Sequence, residues 1–265
     1  SGGVGVRFLV SGIFLFINSL AASAESNLDL LNSIDQGREW SAVGRLSLDN
    51  GNGFCTATLI ADDIILTAGH CVYDKNTGSV ANLTSFEFQA SWRNGRAESY
   101  REIREIAVHS QYQFAQEASI DRIQFDVALL RLATPIRNPN LTPMYVAGLP
   151  QIGSVIGVVS YAKGRMEAPS VQSRCIAAAQ QNNVLVMTCD VDFGASGSPV
   201  FKSTHDGVGI VSVVSAMAEM DGRPVSLGAS VSPVVNELMT KLSPTNDLLT
   251  DTGRRRNTGA KFQRP

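Results

Sequence analysis

The chain has 265 residues, of which 44% are hydrophobic and 17% are charged, and this is the composition of an ordinary globular protein. The formal net charge is −2, so no overall basic field suggests nucleic-acid binding. The length is sufficient for one large all-β domain or for two small barrels that share an interface.

The first 24 residues have the pattern of a secretory signal peptide. Arg7 supplies a positive charge, the apolar run Phe8–Leu20 follows, and Ala22-Ser23-Ala24 is a cleavage signal. The alternative is a membrane anchor, but a span needs about 20 apolar residues and this run is shorter. We therefore expect removal of residues 1–24, no stable membrane anchor afterwards, and export to the periplasm or the medium.

Short β-like runs separated by turn signals occupy most of the remaining chain. Residues 25–39 come before them and are polar without a clear period, which predicts a short N-terminal arm or pro-segment. Strands this short, at this spacing, favour a sandwich or a barrel. The predicted strands are Trp40–Leu48, Phe54–Ile60, Ile64–Ala68, Phe86–Trp92, Tyr100–Val108, Val127–Leu132, Gly153–Tyr161, Val184–Cys189, Pro199–Phe201, Val208–Ser215 and Val225–Val231.

One helix is predicted near the end of the chain. Ser232 would be its N-cap, Pro233 would lie in its first turn, and apolar residues recur at helical spacing as far as Leu242. Residues 243–265 carry five basic and two acidic side chains and are predicted to be a disordered, solvated tail. Docking of this tail on an anionic surface is the alternative.

The cysteine count is compatible with two disulfides. There are four cysteines (Cys55, Cys71, Cys175 and Cys189), an oxidising compartment allows them to pair, and four cysteines have three possible connectivities. A metal site is the competing interpretation, but no C-x-x-C spacing occurs and the three histidines are scattered. We expect no metal and no cofactor.

Three short motifs carry the residue types needed to break a peptide bond. They are Thr67–Cys71, Asp126–Leu130 and Gly194–Pro199. Each motif alone could be structural: a histidine at a strand end, an aspartate that opens an apolar strand, or a tight turn. His109 and His205 have no such context, and we expect both to lie at the surface.

Together the motifs provide a complete set of groups for acyl transfer. A serine hydroxyl becomes nucleophilic beside a base, and an imidazole suits this role because its pKa lies near neutrality. A carboxylate fixes the tautomer of the imidazole, and backbone N–H groups in a glycine-rich turn stabilise the oxyanion. Here these groups occur in the order histidine, aspartate, serine.

On these residues the chain resembles the trypsin/chymotrypsin superfamily of serine peptidases. Its Thr-Ala-Gly-His-Cys is similar to the family's T-A-A-H-C, its Asp-Val-Ala-Leu-Leu to D-I-A-L-L, and its Gly-Ala-Ser-Gly-Ser-Pro to G-D-S-G-G/S-P. The resemblance covers about residues 40–242. It implies an all-β fold of two six-stranded antiparallel β-barrels, divided near residues 135–150, with a C-terminal α-helix.

The resemblance also implies a role for individual residues. Ser196 would be the nucleophile, His70 the general base and Asp126 the group that orients His70. The N–H groups of Gly194 and Ser196 would form the oxyanion hole. Further residues are implied as a set: Ser212 would lie near the carboxylate and line the substrate cleft with Val213 and Val214, and the disulfides would be Cys55–Cys71 and Cys175–Cys189.

Two departures from the family pattern place the chain in a bacterial exported branch that includes glutamyl endopeptidases. Ala195 stands where trypsin-like zymogens have an aspartate, and no I-V-G-G-like start is present. Activation by a new N-terminus is therefore not expected, and the pocket must be held by something else. An enzyme that stays latent until residues 25–39 are clipped is a further alternative.

The side-chain preference depends on Asp190, which stands where trypsin has the acid at its pocket floor. A free carboxylate there would favour Lys or Arg in the substrate. The alternative is that Asp190 and Asp192 are surface or turn residues. Glutamyl preference is less expected, because Val211–Val213 lacks the pocket histidine of those enzymes.

The sequence therefore predicts a secreted, monomeric serine endopeptidase that acts on proteins or peptides and forms an acyl-enzyme. The alternative is a catalytically silent binding protein with the protease fold.

Overall fold

The structure is a computed structural model that describes residues 28–31, 33–115 and 119–242. The expected signal peptide (1–24), the beginning of the arm and the basic tail (243–265) lie outside the described residues. The described β-strands are β1 Asp29–Leu30, β2 Val43–Leu48, β3 Gly53–Ala61, β4 Ile64–Thr67, β5 Glu87–Ala90, β6 Ser99–Val108, β7 Ala128–Leu132, β8 Val155–Ala162, β9 Arg165–Gln181, β10 Val184–Met187, β11 Pro199–Thr204, β12 Gly207–Met220 and β13 Arg223–Ser230.

Short helices connect some of these strands. The α-helices are α1 Ile34–Gly37, α2 Ile120–Ile123 and α3 Val235–Lys241. Turns of 3₁₀-helix cover Arg38–Trp40, Asp49–Gly51, Gly69–Val72 and Leu83–Ser85. In the part of the chain that the structure describes, no helix has the length and apolar character needed to cross a membrane.

The strands form two antiparallel barrels. The first is closed in the order β2-β3-β4-β7-β6-β5. The second contains β8, β9, β10, β13, β12 and β11, and it closes because β8 pairs with both β9 and β11. Closure removes the exposed edges that an open sheet would present. The predicted fold of two six-stranded barrels with a C-terminal helix is confirmed.

Apolar side chains from both barrels meet in a shared core, and the second barrel has a separate cluster that includes Leu185 and Met187. Trp40, which leads into the first barrel, packs against Phe201 of β11 with ring centroids 4.4 Å apart. Tyr161 of β8 is completely buried and donates a hydrogen bond from its hydroxyl to the Trp92 carbonyl at 2.8 Å. Because the barrels share this interface, residues at its rim are held in fixed positions.

The two ends of the described chain each pack on the barrel formed by the other half. Near the N-terminus, β1 pairs with β9 of the second barrel, with Asp29 opposite Val171. After the second barrel, α3 returns and packs on β6 and β7 of the first. Leu238 of α3 is completely buried there.

The C-terminal helix begins two residues later than the sequence suggests, at Val235 instead of Pro233. Ser232 and Pro233 lie in a turn, and Val234 is the N-cap, with no side-chain capping bond. The carbonyl of Val231 accepts hydrogen bonds from the N–H groups of Val234 and Val235. The prediction of Ser232 as the N-cap is wrong, because the backbone of Val231 supplies the first acceptor.

Polar contacts fix α3 on the first barrel, and they involve a histidine that was expected at the surface. His109 is 7% exposed, and its Nε2 lies 3.0 Å from Glu237 Oε2. Its Nδ1 accepts a hydrogen bond from the Gln111 N–H, so Nε2 carries the proton and donates it to Glu237. Burial lowers the pKa of His109, and the charge of Glu237 opposes this effect.

Acidification should weaken this attachment through Glu237. Hydrogen bonds from Lys241 and then Ser110 lower the pKa of Glu237 from 4.5 to about 2. A carboxylate whose pKa is lowered by folding stabilises the folded state above 4.5, and this contribution is lost as the pH falls towards 2. The free energy of unfolding of the wild type should therefore fall more steeply over this range than that of Glu237→Gln.

Urea titrations at several pH values measure both slopes. Glu219→Gln is the matched control, because Glu219 is an exposed acid of β12 and should follow the wild type. Parallel slopes for the wild type and Glu237→Gln would show that Glu237 does not fix α3.

Candidate active site

His70 lies in the 3₁₀ turn Gly69–Val72, directly after β4. The next residue, Cys71, forms a disulfide with Cys55 of β3, with the two Cα atoms 6.2 Å apart. A cross-link that closes a loop of this size stabilises a fold by about 3 kcal/mol. The disulfide therefore fastens the histidine turn to the neighbouring strand.

Asp126 lies between α2 and β7, and its side chain contacts His70 directly. Its Oδ2 is 2.7 Å from His70 Nδ1, and its Oδ1 accepts the backbone N–H of His70 at 2.6 Å. The hydroxyl of Ser215 donates a further hydrogen bond to Oδ2. Because the carboxylate only accepts hydrogen bonds, the proton of the neutral imidazole lies on Nδ1, which leaves the Nε2 lone pair as the base.

The surroundings keep Asp126 ionised although its side chain is only 4% exposed. Burial by itself raises the pKa of this carboxyl, but the charge of His70 and hydrogen bonds from His70 and Ser215 outweigh it and hold the pKa below its usual value. Burial, followed by the negative charge of Asp126, raises the pKa of the nearby Tyr112. The phenol therefore stays protonated and places no second negative charge beside the carboxylate.

Backbone contacts bring Ser196 to the same rim of the barrel interface. The N–H of Thr56, the neighbour of Cys55, donates to the Ser196 carbonyl at 2.8 Å. Gly197 has φ +77, and a Cβ there would lie only 2.1 Å from Thr67 Oγ1, so only glycine allows this close approach. Within the described chain, Ser196 Oγ makes no hydrogen bond with His70, and such bonds often tighten only when substrate binds.

The loop before Ser196 leaves two amides without an acceptor. The N–H groups of Phe193, Ala195 and Gly197 are all bonded, to Asp192 Oδ1, the Asp192 carbonyl and the Val214 carbonyl. In the described chain, the N–H groups of Gly194 and Ser196 donate to nothing. Thr56 Oγ1 holds the Gly194 carbonyl at 3.1 Å. Two unbonded amides beside a serine hydroxyl are the groups that would bind an oxyanion.

The hydroxyl that bonds the Asp126 carboxylate belongs to Ser215. The expectation that Ser212 would lie near this carboxylate is wrong. Ser212 is completely buried and donates to the Ala229 carbonyl at 2.7 Å. Val213 and Val214 are also buried within the β11–β12–β13 sheet. The Val214 backbone already bonds Ser198 and Gly197, so its N–H and carbonyl are not free to bind a substrate.

Asp190 and Asp192 lie on the loop that leads to Ser196. Asp190 is half-buried, and its N–H donates to Gln172 Oε1 at 2.7 Å. Asp192 is exposed and organises the turn through its carbonyl and its Oδ1. Burial lowers the pKa of Arg165, whereas the charges of Asp192 and Asp190 raise it. These carboxylates therefore fit the turn-residue alternative better than a free pocket floor.

The second disulfide joins Cys175 of β9 to Cys189, with Cα atoms 5.0 Å apart, so both expected pairings are present. Cys189 directly precedes Asp190, so this disulfide links the start of the loop before Ser196 to β9. Among the described residues, the only cluster of potential metal ligands is Cys55, His70 and Cys71. Its two sulfurs are consumed by the first disulfide, which leaves a single imidazole.

A double barrel that carries a His–Asp pair and a glycine-flanked serine at its interface has the architecture of chymotrypsin-like serine peptidases. The family model described as "Trypsin" matches residues 33–235. The chain belongs to the trypsin family, and the resemblance seen in its motifs is confirmed.

The individual relatives share only a minority of their aligned residues with this chain. The glutamyl endopeptidase of Bacillus licheniformis is 24% identical over 153 residues, which are 57% of this chain and 46% of that protein. Chymotrypsin-like elastase family member 1 of Macaca fascicularis is 29% identical over 160 residues, 57% of this chain and 55% of that protein. The chain thus matches about half the length of these relatives.

A solved structure shares the fold. "Structure of Glu endopeptidase in complex with MPD" covers 82% of this chain and 97% of its own, with a TM-score of 0.67 and 20% identity. The glutamyl endopeptidase of Bacillus licheniformis fits the bacterial branch inferred from the sequence, and the solved structure shows the shared fold.

Proposed function

We propose that this protein is a serine endopeptidase that uses His70, Asp126 and Ser196 as its catalytic triad. One observation carries the proposal: Asp126 accepts two hydrogen bonds from His70, beside a loop whose Gly194 and Ser196 amides are unbonded within the described chain. A structural histidine would not need those two free amides. Membership of the trypsin family supports the same chemistry.

Each residue has one role in the proposed reaction. Ser196 Oγ attacks the carbonyl carbon of the scissile bond while its proton passes to His70 Nε2. Asp126 stabilises the imidazolium, and the amides of Gly194 and Ser196 donate to the oxyanion. His70 then protonates the amine as the peptide bond breaks. The amine departs, and the acyl group remains on Ser196 as an acyl-enzyme. A water molecule then attacks this ester while His70 accepts one of its protons, and His70 passes that proton to Ser196 Oγ as the carboxylic-acid product leaves.

We further propose that the enzyme is exported and acts as a monomer on proteins or peptides. The pattern of residues 1–24 supports export, and so do the two disulfides, which persist in oxidising compartments. The peptide-bond chemistry needs no metal or cofactor in this scheme.

Labelling with a fluorophosphonate tests the triad directly. This reagent reacts with a serine only when a base and an oxyanion hole activate it, so native protein should be modified at Ser196 and heat-denatured protein should not. Peptide mapping by mass spectrometry locates the label, and a randomised peptide library then reports cleavage and side-chain preference.

The outcomes separate the alternatives. Native protein that is folded but unlabelled would favour a silent binding protein with the protease fold. Labelling that appears only after limited proteolysis within residues 25–39 would indicate a latent enzyme.

A further inference from the structure

The carbonyl groups of residues 193–196, in the turn that carries Ser196, all accept hydrogen bonds. Three of the donors are backbone N–H groups, those of Lys163, Ser198 and Thr56, at 2.7, 3.0 and 2.8 Å. The fourth donor is a side chain, because the hydroxyl of Thr56 bonds the Gly194 carbonyl at 3.1 Å. Within the described chain, the Gly194 carbonyl is therefore the member of this set whose position depends on a side chain.

Gly194 is the residue of this turn that most needs such a bond. It has φ +95, and a glycine has more accessible backbone conformations than any other residue. The peptide group before it is held by the bond from the Lys163 N–H to the Phe193 carbonyl, and the one after it by the Thr56 hydroxyl. Because a peptide group is planar and trans, these two bonds fix both dihedral angles of Gly194. The direction of its unbonded N–H is fixed with them.

The second barrel orients the Thr56 hydroxyl for this bond. Thr56 is a completely buried residue of β3, and its Oγ1 accepts the N–H of Tyr161 of β8 at 3.1 Å. A hydroxyl has a single proton to donate, and the Gly194 carbonyl at 3.1 Å is a nearer acceptor than the Tyr161 carbonyl at 3.4 Å. One side chain of the first barrel thus connects a strand of the second barrel to the turn.

The backbone of Thr56 connects the same point to the strand that leads to His70. Its carbonyl accepts a hydrogen bond from Thr67 Oγ1 at 2.8 Å, and Thr67 is the last residue of β4. Its N–H bonds the Ser196 carbonyl. Thr56 is therefore bonded both to the strand before the histidine turn and to the turn that carries Ser196.

We propose that Thr56 is a positioning residue, whose hydroxyl fixes the peptide group after Gly194 so that the amides of Gly194 and Ser196 are held ready for an oxyanion. The kinetic consequences of this inference rest on the proposed peptidase function. Its structural consequence can be measured without activity.

The principal test is Thr56→Val, which replaces the hydroxyl by a methyl group of similar size. Removal of a whole oxyanion donor lowers kcat about 10²–10³-fold, so the loss of a group that only positions the donors should lower it by about 30-fold. KM should change less than about threefold, because these amides act mainly in the transition state. Thr56→Ser, which keeps the hydroxyl, should recover most of the loss.

Thr58→Val is the matched control. Thr58 is also a completely buried threonine of β3, and its Oγ1 makes no hydrogen bond within the described chain. Fluorophosphonate titration counts the active molecules in each preparation, so kcat is expressed per labelled site and a loss of stability alone does not lower it. An equal loss in Thr58→Val, no recovery in Thr56→Ser, or a Thr56→Val enzyme with wild-type kcat would each overturn the proposal.

Hydrogen–deuterium exchange tests the turn itself. Peptides that cover residues 190–197 should exchange faster in Thr56→Val than in the wild type or Thr58→Val. If Thr56→Val fails to fold, Thr56→Ala removes the same hydroxyl and carries the same expectation. Faster exchange together with an inactive wild type would support the positioning role while refuting the peptidase proposal. Unchanged exchange would refute the positioning role whether or not the wild type is active.

Discussion

Ser196→Ala is expected to lower kcat by about 10⁶-fold while the protein remains folded. The substitution removes only the hydroxyl group. The Ser196 carbonyl, which accepts a hydrogen bond from the Thr56 N–H, is retained. Without the nucleophile, no acyl-enzyme forms, and only the unbonded amides and substrate binding still favour reaction over the uncatalysed rate. Peptide hydrolysis under saturating substrate measures the effect, and circular dichroism checks the fold.

Ser198→Ala is the matched control, because it removes a hydroxyl two residues further along the same loop. Ser198 is completely buried, and its Oγ makes no hydrogen bond within the described chain. Its backbone amide and carbonyl, which bond Ala195 and Val214, are unaffected by the change. The control should keep kcat within about threefold of the wild type. Turnover by Ser196→Ala near the wild-type rate would contradict the proposed function.

Asp126→Asn is expected to lower kcat/KM by about 10⁴-fold, with the geometry of the site largely intact. The carboxylate accepts hydrogen bonds from the backbone N–H and the Nδ1 of His70 and from Ser215. An amide can accept with its oxygen only, so its NH₂ group must face one of these donors. If it faces Nδ1, the imidazole proton moves to Nε2, and the base that Ser196 needs is lost.

Asp121→Asn controls for the loss of a negative charge in the same stretch of chain. Asp121 lies in α2 and is exposed, so its replacement should change kcat/KM less than threefold. Fluorophosphonate labelling of Asp126→Asn should slow in parallel with hydrolysis. An Asp126→Asn enzyme within tenfold of the wild type would mean that this carboxylate does not set the tautomer of His70.

The residues of the proposed triad could be picked out from the sequence because the proposed chemistry requires particular residue types. A histidine beside a cysteine, an aspartate at the start of an apolar strand and a serine between glycines are visible without coordinates. Short β-like runs separated by turn signals also located most of the described strands.

The position of Ser215 was not predictable, because Ser215 lies at a β-bulge of β12. The pairing register of β12 with β13 shifts between Val214 and Ala216, and a bulge turns the following side chain away from regular alternation. The resemblance to the family's cleft strand placed Ser212 near the carboxylate, whereas Ser212 is completely buried and donates to the Ala229 carbonyl. No signal in a single sequence marks such a bulge.

Two further elements were missed for different reasons. The longest strand, β9, buries polar residues such as Ser170 and Gln172, so its apolar pattern is weak although the strand is central. The short helix α1 has a signal that could have been used. Ser33 and Gln36 form a capping box, which is readable from the spacing of serine and glutamine.

Each end of the described chain packs on the barrel formed by the other half, so the two barrels should not be stable as separate fragments. A cut between residues 133 and 154 would separate the barrels, but each half would carry the segment that covers the other: β1 would leave with the first half and α3 with the second. Neither fragment could then shield its own apolar surface. The halves should be soluble only when produced together, and the intact chain should lose both barrels in one cooperative thermal transition.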